Sequence, residues 1–294
     1  MKNRNSKEKI NYLICATPRS GSSLLCNLMA NTGILGKNNT ERISTDLIIS
    51  IDWNKKDLTG FFEELFESTS TPDEVSGFKI QGHQIKNLVK ELNKTHKYRN
   101  VSANNIIRFF PKNLKYIWLS RKDKLRQAIS LSKAWKTGIF SIHKDQKRIP
   151  STDIAFDSGS IIGAVKELKE QEVLWRNFFE KNKIKPLKLE YEKFIKDFRG
   201  TLIEILIYLE VPIPKNLIVK TNLLKQSDKL SEKWIKKFYE TPYYKKIFSF
   251  FKYRFFQLLY RISYKLRQSY KPYNKFIDFA KEKLKTKKLR NEKN

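Results

Sequence analysis

The stretch YLICATPRSGSS, residues 12–23, decides the fold of this chain. Its first five residues are apolar and end shortly before Pro18, which predicts a short buried strand. Apolar residues then recur at helical spacing over residues 24–29, and Gly33 suits the position just past a helix end. The stretch therefore predicts a strand, a tight Ser- and Gly-rich loop and a helix, in that order.

Strands and helices alternate along the next part of the chain. Three more short apolar runs predict strands, at Gly77–Gln81, Tyr116–Ser120 and Leu187–Leu189. Helical spacing of apolar residues predicts helices over 125–135, Gly163–Asn182 and Phe198–Leu209. Since alternating strands and helices form a parallel sheet covered on both faces, the predicted fold class is α/β, with a three-layer parallel sheet flanked by helices.

The sequence changes character after residue 240. Residues 240–294 contain 16 Lys and Arg against 4 Asp and Glu, together with 14 of the 38 aromatic residues. Within Ile247–Leu266 the charges are too frequent for a membrane-spanning helix, and the pattern predicts a basic amphipathic helix at a membrane surface. We expect two domains, residues 1–240 and a basic, aromatic, helical extension over 241–294.

Composition indicates which partners, cysteine state, metal content and cellular location to expect. The formal net charge of +30 favours anionic partners such as nucleic acid, phosphorylated nucleotides or an anionic membrane. Cys15 and Cys26 lie in apolar surroundings and are expected to be reduced thiols. None of the 3 histidines has a partner at metal-ligand spacing, so no metal is expected. The N-terminal apolar run is too short for a signal peptide, which favours a cytoplasmic location.

The loop after the first strand is a candidate anion site. Its backbone N–H groups lie at the positive end of a helix, where phosphate or sulfonate oxygens bind. An ordinary capped helix would give the same pattern, and the Lys and leading Gly of nucleoside-triphosphate loops are missing. The candidate binding residues are Pro18, Arg19, Ser20, Gly21, Ser22 and Ser23.

Further motifs follow in chain order: TGILG at 32–36, GFKI at 77–80, LSRKD at 119–123, QAIS at 127–130 and KQSD at 225–228. Together with the loop they resemble the trehalose 2-sulfotransferase-like family of bacterial carbohydrate sulfotransferases, within the P-loop sulfotransferase superfamily. The resemblance implies that a sulfonate moves from 3′-phosphoadenylyl sulfate to a hydroxyl of a carbohydrate or glycolipid. Adenosine 3′,5′-bisphosphate would be released, and no metal would take part.

The resemblance also implies how the donor is held. Arg121 and Ser130 would bind its 3′-phosphate, although Arg121 could instead form a surface ion pair with Asp123 and Ser130 could be an ordinary helix hydroxyl. A late loop would close over the nucleotide, unless it is simply a solvated polar loop. That loop contains Lys225, Gln226 and Ser227.

Four residues are candidates for the chemistry. Arg19 would stabilise charge on the sulfonate and on the phosphate oxygen that it leaves. The catalytic Glu of the family falls one residue late here, so Glu41 is the first candidate base or else a solvated loop carboxylate. His83 is the second candidate, because imidazole titrates near neutral pH, although a lone His is commonly structural. Lys79 could stabilise the leaving oxygen or be a surface charge at a strand end.

The acceptor region is the part of the chain that is least like the family. The family uses the regions 37–75 and 136–158 for the acceptor. Aromatic residues in or next to these regions could stack on a sugar or pack in the core: Trp53, Phe61, Phe62 and Trp135. Tyr191 and Glu192, after the fourth strand, are expected to serve packing and helix entry. The basic extension suggests a glycolipid acceptor and a peripheral location on the inner membrane face, and a homodimer is compatible with the sequence.

Two other functions compete with this interpretation. A small-molecule kinase would share the phosphate-binding architecture, but it would need the missing Lys and a Mg²⁺-binding pair. A non-enzymatic nucleic-acid-binding protein would account for the charge and the aromatic residues. It would leave the ordered motifs unexplained, so nucleic acid is not an expected partner.

Overall fold

The structure is a computed structural model of the chain. It describes residues 9–37, 43–141, 154–223 and 229–263. The described residues form two compact units, the first within 1–156 and 164–240, the second within 157–163 and from 241 onward. Among the helices in these ranges, none is long and apolar enough to cross a membrane.

A parallel sheet forms the centre of the first unit. Its strands are β1 (Ile10–Ala16), β2 (Val75–Gln81), β3 (Leu114–Ser120) and β4 (Leu187–Glu190), in the order β2-β1-β3-β4. At the carboxyl end of β1, Ala16 pairs with Gln81 on one side and with Leu119 on the other. The four predicted strands are confirmed, and the first three begin earlier than the sequence pattern indicates.

Each strand is followed by at least one helix. In chain order the helices are α1 (Ser22–Asn31), α2 (Thr45–Ser50), α3 (Leu58–Glu67), α4 (Gly82–Leu92), α5 (Lys124–Thr137), α6 (Ser158–Lys181), α7 (Tyr191–Phe194), α8 (Phe198–Leu209), α9 (Lys229–Glu240) and α10 (residues 243–263). The helix predicted to begin at Gly163 begins earlier, because the Asp157 carboxylate accepts from the N–H groups of Gly159 and Ser160 over 2.9 and 3.2 Å. This is an N-cap, which sequence periodicity alone does not reveal.

Alternate residues of β1 lie in two hydrophobic cores, one on each face of the sheet. Leu13 and Cys15 belong to the core that contains residues of α3, α4 and α6. Tyr12 and Ile14 belong to the core that contains residues of α1 and α8. Because both faces are covered, β1 is apolar without interruption from Tyr12 to Ala16. These three layers confirm the predicted α/β class.

The sheet topology creates a crevice at the carboxyl edge. The chain leaves β1 to reach β2 on one side, and from β2 it crosses to β3 on the other side. The loops after β1 and β3 therefore diverge, and such a switch point is where open α/β sheets bind ligands. The indole Nε1 of Trp175 donates to the Ala16 carbonyl over 2.9 Å and holds the end of β1 in place.

In the second unit, α10 packs closely on residues 157–163. Ser249 Oγ donates to Asp157 Oδ1 and accepts from the Gly159 N–H, both over 3.0 Å. A Cβ at Gly159 would lie 2.1 Å from the Ser249 carbonyl oxygen, and one at Gly163 would lie 2.4 Å from Tyr253 Cε1. Because Gly159 and Gly163 lack a Cβ, α10 can pack this closely on residues 157–163. The predicted amphipathic helix is α10, which begins before residue 247.

Candidate active site

A cavity of about 750 Å³ lies at the carboxyl ends of β1 and β3. Its volume suits a small-molecule ligand. Ser20 and Lys79 lie beside the cavity without lining it, and Glu41, Lys225, Gln226 and Ser227 fall outside the described residues. The lining brings together most of the predicted site residues: Pro18, Arg19, Gly21, Ser22, Ser23, His83, Arg121 and Ser130.

The loop after β1 has a backbone conformation suited to an anion. Arg19 and Gly21 both have positive φ, 62° and 88°, on either side of Ser20. Alternation of this kind turns successive N–H groups toward one side and forms a concave anion site. Ser20 Oγ donates to the Thr17 carbonyl over 2.8 Å, so this hydroxyl holds the loop together. The N-cap of α1 is Gly21, which provides no side-chain cap.

The small size of Gly21 accommodates a neighbouring ring. A Cβ at Gly21 would lie 2.5 Å from Cδ2 of Tyr191. Tyr191 also lines the cavity, although its predicted role was packing and helix entry. The sequence signal for a place in the cavity was the position of Tyr191 directly after β4. The carboxyl end of β4 lies at the same edge of the sheet as the loops after β1 and β3.

Arg121 is held beside the loop with part of its guanidinium unsatisfied. The group lies 4.4 Å from the centre of the Tyr191 ring, and Nη1 donates to the Arg19 carbonyl over 3.1 Å. Its buried Nε has no hydrogen-bond partner among the described residues. The alternative of an ion pair with Asp123 is wrong, since Asp123 caps α5 and pairs with Arg126 Nε over 3.1 Å.

Arg19 contacts the other predicted phosphate residue. Its Nε donates to Ser130 Oγ over 2.8 Å, and Nη1 donates to the carbonyl of Phe140. Burial and the nearby Arg121 lower the pKa of Arg19 to about 10. Both guanidiniums remain protonated at neutral pH, and their mutual repulsion would be relieved by a bound anion.

Two further side chains fix the loops after β1 and β3. Gln127 is fully buried, and its Nε2 donates to Thr17 Oγ1 and to the Pro18 carbonyl over 2.9 and 2.7 Å. The Glu192 carboxylate accepts from the N–H groups of Lys122 and Asp123 over 3.0 and 3.1 Å. Neither positioning role was predicted, although both residues lie in motifs that the sequence singles out.

Lys79 supports the loop from β2. Its side chain is 1% exposed, and Nζ donates to Ser23 Oγ over 3.1 Å. The alternative of a surface charge at a strand end is therefore wrong. Ser23 lines the cavity and Lys79 does not. The ammonium group of Lys79 therefore holds a residue of the cavity wall in place from behind.

His83 lines the cavity together with Glu167 and Gln171 of α6. Gln171 Nε2 donates to Glu167 Oε1 over 2.8 Å, while Gln171 Oε1 has no hydrogen-bond partner among the described residues. Burial is the main cause that lowers the pKa of His83, and the nearby charges of Lys79 and Lys86 lower it further. Glu167 and Gln171 act in the opposite direction and raise the pKa of the ring. The pKa stays below its ordinary value, so the ring is neutral and can accept a proton at neutral pH. Glu167 and Gln171 were not predicted.

The predicted sugar-stacking aromatics separate into two groups. Trp53, Phe61 and Phe62 are buried in a hydrophobic core, so of the two alternatives the core-packing role applies to them and sugar stacking does not. Trp135 lines the cavity and is 39% exposed. In the described ranges, no group of three or more His, Cys, Asp and Glu is arranged to hold a metal ion.

The place of the cavity, at a switch point of a parallel sheet and at the start of α1, is typical of α/β proteins that bind phosphorylated ligands. The family model described as Stf0 sulphotransferase matches residues 11–241. The chain therefore belongs to the Stf0 sulphotransferase family and is a sulfotransferase. This confirms the resemblance drawn from the motifs.

Individual relatives are distant. The chain is 23% identical over 253 residues to trehalose 2-sulfotransferase of Mycobacterium tuberculosis (strain ATCC 35801 / TMC 107 / Erdman), covering 77% of this chain and 93% of that protein. It is 23% identical over 256 residues, with the same coverage, to trehalose 2-sulfotransferase of Mycolicibacterium smegmatis (strain ATCC 700084 / mc(2)155). The solved sulfotransferase domain from the curacin biosynthetic pathway is 15% identical and covers 72% of this chain and 77% of that chain, with a TM-score of 0.45.

Proposed function

We propose that this chain transfers a sulfonate from 3′-phosphoadenylyl sulfate to a hydroxyl of a carbohydrate. The buried Nε of Arg121, which lacks a partner among the described residues beside a second arginine, is the observation that carries the donor assignment. A buried guanidinium with an unused donor is costly unless an anion completes its hydrogen bonds. The donor provides such anions at its 3′-phosphate and at its 5′-phosphosulfate.

The donor would bind along the two loops of the cavity. The N–H groups at the start of α1 and the Arg19 side chain would hold the 5′-phosphosulfate. Arg121 and Ser130 would hold the 3′-phosphate, because the planar fork of an arginine matches two phosphate oxygens. Lys225, Gln226 and Ser227 would also contribute to binding of the nucleotide.

The reaction would then be an in-line transfer. The acceptor oxygen forms a bond to sulfur while the bond from sulfur to the 5′-phosphate oxygen breaks. The electron pair of that bond leaves with adenosine 3′,5′-bisphosphate. Arg19 and the loop N–H groups stabilise the charge that develops on this oxygen. The acceptor hydroxyl gives its proton to a base.

His83 is the base that the described geometry supports. Its lowered pKa keeps the ring able to accept the proton, and the carboxylate of Glu167 would stabilise the resulting imidazolium. Gln171 lines the cavity together with His83 and also raises the pKa of the ring. Glu41 remains the rival base, and a comparison of His83→Gln with Glu41→Gln separates the two.

The acceptor we propose is a sugar. Two relatives named as trehalose 2-sulfotransferases support a carbohydrate acceptor. The exposed indole of Trp135 at the cavity offers a stacking surface for a sugar ring. The basic extension favours a sugar carried by a lipid, at the inner face of an anionic membrane.

The function can be tested with 3′-phosphoadenylyl sulfate labelled at sulfur. The chain is incubated with trehalose, with other disaccharides and with lipid and glycan extracts, and label and adenosine 3′,5′-bisphosphate are followed together. We expect label in a saccharide and equal release of the bisphosphate. Arg121→Ala should lose this transfer, while Lys122→Ala, next to it in the loop, should retain it. Donor that stays intact with every acceptor would contradict the proposal.

A further inference from the structure

The second unit carries a long apolar face whose position follows from helix geometry. Ser249 and Tyr253 lie on the side of α10 that packs on residues 157–163. At about 100° per residue, the opposite side of α10 presents residues spaced four, three, four and seven apart. These residues are Tyr244, Phe248, Phe251, Phe255 and Ile262.

This face is exposed to solvent. Phe248, Phe251 and Phe255 are 74%, 66% and 58% exposed. Leu258 and Leu259 fall within the same sector and are also exposed. An apolar patch of this length on a surface helix marks an interaction site.

Basic residues border the apolar face on both edges. On the helical projection, Arg254 and Arg261 lie along one edge, and Lys245 and Lys252 lie along the other. All four are exposed. Long basic side chains at the edges of an apolar helix face extend to lipid phosphates while the face enters the acyl region.

We propose that this face of α10 docks the chain on a bilayer containing anionic phospholipids. This face would account for the membrane location proposed above, and its binding to lipid does not depend on the donor site. Charge favours this occupant over a second copy of the chain, because each copy has a formal net charge of +30 and would bring its own basic edges to the contact. A nucleic acid would match the charge but would leave the aromatic face in water.

Close packing of the other face keeps the docking face available. The contacts of Gly159 with the backbone of Ser249 and of Gly163 with the Tyr253 ring set which side of α10 is covered. The aromatic side therefore cannot turn inward without loss of these contacts. Phe side chains that enter the membrane gain the free energy of leaving water, and each basic residue near an anionic surface adds about 1 kcal/mol.

The test uses the full chain and sedimentation with vesicles of phosphatidylcholine, alone or mixed with phosphatidylglycerol. We expect binding to the mixed vesicles that weakens as salt rises. The triple variant Phe248→Ser, Phe251→Ser, Phe255→Ser should lose more than about a hundredfold in partitioning. The pair Arg254→Gln, Arg261→Gln should lose roughly thirtyfold. Ile207→Ser, at an exposed apolar residue of α8, is the matched control and should bind like the native chain.

Two results would overturn the docking proposal. One is binding of the triple variant that equals the binding of Ile207→Ser. The other is a native chain that stays off anionic vesicles and forms a dimer that the triple variant dissolves, which would assign the face to a second copy. Binding of adenosine 3′,5′-bisphosphate is measured on every variant, so loss of vesicle binding with intact nucleotide binding separates this surface from the donor site.

Discussion

Arg19 Nε donates a hydrogen bond to Ser130 Oγ over 2.8 Å and so joins the loop after β1 to the middle of α5. Arg121 extends the link, because its Nη1 donates to the backbone carbonyl of the same Arg19 over 3.1 Å. The two arginines and the serine therefore form one connected group. A ligand that binds one of them acts on all three.

Arg121→Ala should weaken binding of adenosine 3′,5′-bisphosphate by about 10- to 100-fold, since hydrogen bonds to charged groups contribute about 1.5–3 kcal/mol. Adenosine 5′-monophosphate lacks the 3′-phosphate and should bind the variant nearly as it binds the native chain. Calorimetry with both nucleotides measures the difference. Lys122→Ala is the control, because its side chain is 72% exposed in the same loop. Equal losses for the two nucleotides would remove Arg121 from the 3′-phosphate site.

Gly21→Ala should destabilise the fold and weaken nucleotide binding. Its φ of +88° costs an alanine about 1–2 kcal/mol, and the added Cβ would meet the Tyr191 ring at 2.5 Å. Gly33→Ala is a matched control, because Gly33 has a φ of +74° and nothing within 4 Å of the added Cβ. Thermal unfolding should show the larger loss for Gly21→Ala. Similar losses would mean that the contact with Tyr191 is unimportant.

The pH dependence of kcat tests His83 as the base. Burial holds the pKa of His83 below the ordinary value of about 6.5, so activity should fall only as the pH drops beneath that value. Glu167 raises the pKa of the ring, and Glu167→Gln should therefore move the acidic limb of the profile to lower pH. A profile that Glu167→Gln leaves unmoved, together with loss of turnover in Glu41→Gln alone, would assign the base to Glu41.

Glu192→Ala should loosen the loop after β3. The substitution leaves the N–H groups of Lys122 and Asp123 without their carboxylate acceptor, so we expect adenosine 3′,5′-bisphosphate to bind about tenfold more weakly. Glu190→Ala serves as the control, since Glu190 pairs with the exposed ammonium of Lys122 over 2.6 Å. If Glu190→Ala weakens binding as much as Glu192→Ala does, the effect comes from local charge and not from the loop.

Local patterns were sufficient to predict much of the fold. Helices cover both faces of the sheet, so β1 and β3 contain the apolar runs Tyr12–Ala16 and Tyr116–Leu119, and both strands were identified from these runs. The loop after β1 was likewise recognisable from Gly21 and the serines around it. Its aromatic neighbour Tyr191 was not, since the contact joins segments that are far apart in sequence.

Packing between distant segments also settles points that the sequence leaves open. Trp53 and Phe62 are as apolar as any sugar-stacking residue, and only tertiary packing places them in a core. The site residue Glu167 lies on a long helix, where its spacing resembles that of ordinary surface charges. Lys79 is buried although lysines are mostly exposed, because it reaches Ser23 through the interior.

The central claim is a site for a 3′-phosphorylated nucleotide, and calorimetry of the native chain tests it most directly. Adenosine 3′,5′-bisphosphate and adenosine 5′-monophosphate are titrated in parallel at the same salt concentration. We predict one site for the bisphosphate with micromolar affinity, at least about tenfold tighter than for the monophosphate. Equal affinity for the two nucleotides, or no heat with the bisphosphate up to millimolar concentration, would contradict the account.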